Sequence, residues 1–263
     1  MKRLLLLAAA LLPTVLPAQG GRSAQAAVEE LTAELNRQKA VYRAARKVVT
    51  DSEAYREARK ARDNRRIREL LAGVERPDNQ GLARKAMELA QQYEGDDRVR
   101  LLGWAAVNCG GDKGIVGEVV DVLERDHIDS PALDVLLEKA MVLARPLGQQ
   151  RARTFLEKVV DESPHKLPKA WALYWQSVLL RRGRGRGAGG GDPAAAAKLL
   201  AEAEKLAQGH WLADKIAGPR FKKEHLQIGM EAPNIVGEDL DGVPFELKDY
   251  RGKVVVLDFW GFW

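Results

Sequence analysis

Apolar residues stand at Val28, Leu31, Leu35, Tyr42, Ala45 and Val49, steps that lie along one face of a helix, with Gln38 interrupting the row. Thr50 and Glu53 are three apart, as in a capping box. The reading therefore ends one helix near Val49 and runs a second from about Ser52 to Ala72, with a single long helix as the alternative. Coiled-coil pairing would use the same stripe, but the row holds fewer than four clean heptads. Glu75-Arg76-Pro77-Asp78-Asn79 then breaks the pattern. Beyond it the spacing predicts helices over 82–93, 98–109, 115–125, 131–144, 150–160, 168–180 and 193–207. Ser130-Pro131 and Asp192-Pro193 each set a capping side chain before a proline at the first helical position. Ile115, Val119 and Val122, beside Val116, Val120 and Leu123, make a broad stripe to bury.

Short helices in succession suggest an array of α-hairpins of the tetratricopeptide kind, most repeat-like around Trp171-Ala172-Leu173-Tyr174 and 194–206. No fixed period runs through the body, so a non-repetitive bundle is an equal alternative. Trp171, Tyr174 and Trp175 sit at helical spacing and read as core. Residues 181–192, RRGRGRGAGGGD, have too little apolar surface to order themselves and read as a flexible loop rather than a nucleic-acid-binding segment.

After His225 the periodicity changes. Residues 234–240 fit a strand, Asp241-Gly242 is a two-residue hairpin signal, and Val243, Phe245 and Leu247 alternate as the buried face of a second strand. The run from Val254 to Trp260 is almost wholly apolar, as a central strand covered on both faces would be.

Composition sharpens this picture in three places. Lys2 and Arg3 precede an apolar run, Leu4 to Leu12, followed by small residues through Ala18-Gln19-Gly20. That order is a secretory signal peptide over 1–20, cut after Ala18 or Gly20, with a retained N-terminal anchor as the alternative. An exported, periplasmic or otherwise extracytoplasmic location follows, with no stable membrane span once the signal is removed. The chain has one cysteine, Cys109, before Gly110-Gly111; lacking a second thiol, it reads as a small buried side chain. His127, His165, His210 and His225 are scattered without ligand spacing, which gives no case for a metal, and no cofactor is implied. Net charge is +5, yet residues 37–69 alone carry twelve Lys or Arg against five Asp or Glu. That stretch reads as a solvated helix face, and nucleic acid is not expected as a partner. The resulting segments are 1–20 signal, 21–76 basic helical segment, 77–225 helical body and 226–263 a strand-patterned end.

The last segment, IGMEAPNIVGEDLDGVPFELKDYRGKVVVLDFWGFW, resembles the opening of the TlpA/ResA-type thiol-disulfide oxidoreductases of the thioredoxin-like redoxin superfamily. Gly229, Ala232 and Pro233 match the lead, Asp241 and Gly242 the hairpin, Gly252 and Lys253 the turn, and Phe259, Trp260 and Trp263 the strand end. The Trp-x-x-Trp ending points to the disulfide-exchange branch rather than the peroxidases. The resemblance implies a Cys-x-x-Cys pair next in sequence, whose thiolate is stabilised at a helix N-terminus and attacks a protein disulfide. It further implies that Asp258, desolvated on the central strand, exchanges a proton with the resolving thiol, and that Trp260 and Trp263 wall the site. Protein thiols or disulfides would be the partners. Since Trp263 is the last residue, the pair is absent and the chain as given is expected to be inactive, a fragment of a longer reading frame, with a truncated gene as the alternative. The expected fold is mainly α: a helical body followed by the incomplete β-hairpin and first central strand of an α/β thioredoxin-like domain. The competing class is an exported helical scaffold with an inert redoxin remnant.

Overall fold

The computed structural model describes residues 23–182 and 192–258; the expected signal segment, most of the glycine-rich loop, Trp260 and Trp263 lie outside the described residues. Among the described residues the chain is mainly α, with twelve α-helices and one two-stranded sheet. None of these helices is long and apolar enough to cross a membrane.

Helix α1 (Ala24–Thr50) opens on Ser23, whose hydroxyl accepts from the Ala26 amide. Its first half buries Ala24, Ala27, Leu31 and Leu35 against the body, and the Trp104 indole donates to Thr32 Oγ1 at 2.9 Å. Its second half leaves the body, with every residue from Arg43 to Val48 exposed. Helices α2 (Glu53–Lys60) and α3 (Asn64–Leu71) fold back beside it. The break after α1 falls where the capping pattern places it, but the cap is Ser52, which accepts from the Tyr55 amide. The single helix expected over 52–72 is divided: Arg62 takes a left-handed φ of 55°, and Asp63 caps a new start by accepting from the Arg66 amide.

The body comprises α4 (Asn79–Ala90), α5 (Gly95–Asn108), α6 (Lys113–Asp126), α7 (Asp134–Leu137), α8 (Met141–Leu147), α9 (Gln149–Glu162), α10 (Lys166–Arg182), α11 (Pro193–Leu206) and α12 (Trp211–His225). Sequence neighbours pack on one another from α4 to α6 and again from α8 to α12, while α1 lies across α4 and α5. The expected stripe on α6 is buried, with Ile115, Val116, Val119, Val120 and Leu123 all closed to solvent. Cys109 is buried as expected, its thiol donating to the Ala106 carbonyl, and Gly110 follows at φ 69°, the left-handed turn that ends many helices.

Two expectations for the body need correction. The helix over 131–144 is broken into a 3-10 turn (Pro131–Leu133), α7 and α8. The interruption follows Leu137, whose carbonyl accepts the Trp175 indole at 2.6 Å as well as the Ala140 amide. Helix α12 was not foreseen, because Gly218-Pro219 lies inside it and reads as a helix breaker.

Trp171 is buried as core, while Tyr174 and Trp175 are partly buried against the same cluster. Trp171 meets Tyr174 edge to face at 5.9 Å and Trp211 at 5.2 Å, and the Lys215 ammonium lies 5.2–5.9 Å from the centres of these three rings. Contacts of this kind contribute roughly 0.5–1.5 kcal/mol each beyond area burial, so this cluster anchors α12 to α10.

Candidate functional site

The strand-patterned end builds its own local framework. Strands β1 (Val236–Glu238) and β2 (Pro244–Glu246) pair antiparallel, with Gly237 opposite Phe245. The Asp-Gly signal does mark the turn, but the loop is longer than two residues. The Asp239 carbonyl accepts the Gly242 amide, and Gly242 takes φ 77° before the chain rejoins at Val243. This is a three-residue hairpin loop whose last position requires a left-handed residue, which glycine fills without strain. The Asp239 carboxylate holds the loop by accepting from the amides of Asp241 and Val243, both at 2.9 Å.

Asn234 ties the lead to the hairpin from both ends of its amide: Nδ2 donates to Glu246 at 2.6 Å and Oδ1 accepts from the Lys248 amide at 2.9 Å. A 3-10 turn (Leu247–Tyr250) follows, closed by a reciprocal capping box between Glu246 and Asp249. The ammonium of Lys248 and the amide of Asn234 beside Glu246 hold its carboxyl below the usual range. Across the lead, Arg251 Nη2 and Glu231 Oε1 form an exposed ion pair at 2.6 Å. These contacts give the segment its shape through polar groups at its surface.

Between this framework and the end of α12 lies an open cleft of about 660 Å³. Phe221 and His225 of α12, their rings 4.7 Å apart, form one side; Pro233, Tyr250, Val255 and Leu257 contribute the other. The participation of Phe221 and His225 was not legible in the sequence, since the helix that carries them was itself hidden by Gly218-Pro219.

The expected central strand is not formed. Residues 254–258 take no regular structure, and Val254 and Val256 are 97% and 87% exposed. A central strand needs a ladder partner on each side, and among the described residues β1 and β2 satisfy only each other. Asp258 ends this run exposed to solvent rather than desolvated on a strand. Trp260 and Trp263 lie outside the described residues.

Sequence comparison finds a local stretch of the chain similar to thiol-disulfide oxidoreductases. Over 42 residues, 16% of this chain, it is 57% identical to the thiol-disulfide oxidoreductase ResA of Bacillus thuringiensis subsp. konkukian. Identity to ResA of Bacillus subtilis is 51% over 41 residues, and to ResA of Geobacillus kaustophilus 48% over 42. The chain spans about a quarter of the length of these curated relatives, 24% of the first. No family model matches, and no solved structure matches with significance.

Proposed function

We propose that the chain belongs to an exported TlpA/ResA-type thiol-disulfide oxidoreductase, with the segment over 226–263 opening its thioredoxin-like domain and the helices over 77–225 forming an N-terminal extension. The observation that carries this reading is the local identity to ResA of 57% over 42 residues, about the length of that segment. The hairpin with its Asp-Gly turn and the Arg-Gly-Lys turn after it agree with the same reading.

The chain's single cysteine cannot both attack a disulfide and resolve the mixed intermediate, so in this reading the cysteine pair is encoded beyond Trp263. The first thiolate would attack a protein disulfide and the second would release the product. Asp258 would serve as the proton-exchange partner once a completed sheet desolvates it, and Trp260 and Trp263 would wall the pair.

The test is the downstream reading frame together with insulin reduction. A frame that continues into Cys-x-x-Cys, and a lengthened chain that reduces insulin while the 263-residue chain stays at the level of its Cys109→Ala variant, bear the reading out. In the lengthened chain Asp258→Asn should slow exchange by about tenfold or more near neutral pH. A stop codon directly after Trp263 would transfer the function to a helical scaffold.

A further inference from the structure

The charge asymmetry of the sequence becomes a defined surface in the fold. The outer half of α1, with α2 and α3, forms an arm that carries twelve cations and five acids between residues 37 and 69, a net of +7, whereas the rest of the chain sums to −2. Among the described residues Arg37 pairs with Glu34, Lys47 with Asp51, and Arg65 and Arg66 share Glu69. Arg43, Arg46, Arg59, Lys60 and Arg62 are exposed and form no ion pair among the described residues.

From this arrangement we infer that the arm is a docking surface for an anionic lipid membrane. Three observations select that partner. The cations are dispersed along three helices, with the outer half of α1 alone about 20 Å long, rather than converging on one cradle; a diffuse sheet of negative headgroups satisfies such a pattern. The arm's aromatic residues, Tyr42 and Tyr55, are half-buried, so the arm has no exposed platform on which nucleic-acid bases would stack. The sequence before the arm also holds the apolar run from Leu4 to Leu12, expected to act as a signal or a retained anchor, and on either expectation the chain meets a membrane. The inference is independent of the redox reading, since it uses no residue of the C-terminal segment.

Vesicle flotation with the full 263-residue chain tests it. The chain should float with vesicles of mixed phosphatidylglycerol and phosphatidylcholine and stay behind with phosphatidylcholine alone. Binding should fall by about tenfold or more in the fourfold variant Arg43→Glu, Arg46→Glu, Arg59→Glu, Lys60→Glu, whose N-terminal apolar run is unchanged. Circular dichroism checks that the variant keeps its helices. On the unaltered chain, about 0.5 M NaCl, which shortens the screening length to roughly 4 Å, should release it whatever the variant's fold. Equal binding to neutral vesicles, or salt-resistant binding, would overturn the inference by assigning attachment to the apolar run. Capture by heparin or polyglutamate with no flotation would overturn it as well and make the partner an acidic polymer.

Discussion

In the helical body Phe155, Leu136 and Trp171 have at most 1% of their surface open to solvent, whereas in the C-terminal segment Ile228 and Leu240 are completely exposed and Val254 nearly so. Both regions are written with large apolar side chains at regular spacing. The body gives each apolar face a neighbouring helix, so α5 meets α1, α4 and α6, and α10 meets α9 and α11. The hairpin pairs in one direction only, through three residue pairs, and among the described residues its Val236, Val243 and Phe245 stay exposed. Periodicity thus determines which side of an element is apolar, and the presence of a partner determines whether that side is buried.

The sharpest way to break the comparison is hydrogen exchange. Amides in α5 and α6 should open only with global unfolding, on a scale of about 5–15 kcal/mol, while those of β1 and β2 should exchange close to the free-peptide rate. Strong protection from Val254 to Asp258 in a monomer would show that the segment had found a cover. Next in size, Phe155→Ala should cost about 3–5 kcal/mol in urea denaturation, because the sealed site cannot collapse around the lost ring. Asp112→Ala should cost about 1–2 kcal/mol; it removes the cap that accepts from the Ile115 amide at 2.9 Å and the acceptor for Gln80 across to α4.

A weaker effect is expected from pH. Burial, and then the Arg98 guanidinium, hold His127 below the ordinary histidine range, against the opposing pull of Asp126, Asp129 and Asp96. The native state therefore binds fewer protons here than the unfolded chain does. Its stabilising contribution is full above about pH 6.5 and is lost as pH falls from there through the folded value. The thermal midpoint should drop between pH 7.5 and 5 and drop less in His127→Gln; identical slopes would remove His127 from the account. Smallest of all, Leu240→Ser in the exposed loop should change stability by no more than about 0.5 kcal/mol while raising solubility. A large loss there would mean the hairpin is docked in solution.

Much of the body was legible because helix starts are written in local chemistry. Asp192 accepts from the Ala195 amide and Ser130 from the Ala132 amide, both at the positions their proline partners suggested. What escaped depended on distant groups. The break after Leu137 follows an indole 38 residues away, and α12 persists through Pro219 because Leu212 and Ala213 are buried and Trp211 packs edge-on against Trp171. In the candidate site the hairpin could be read from Asp241-Gly242. The Glu231 to Arg251 pair could not, since it spans twenty residues and exists only once the lead has folded back. Asp258 was assigned a buried place by resemblance, and burial is a property of the whole sheet rather than of the residue.

Helix α1 has mechanical consequences. It contains no glycine or proline, and one unbroken rod of about 40 Å joins the socket around Leu31 and Leu35 to the basic arm. Such a rod acts as a lever with its fulcrum on α5. A sideways push at Arg46 is not absorbed by a bend along the way but arrives as a torque on the contacts that seat the rod, where Gln38 Oε1 accepts from the Asp78 amide and Thr32 Oγ1 from the Trp104 indole, each at 2.9 Å. Load applied to the arm is therefore carried into α4 and α5 through the inner half of the rod.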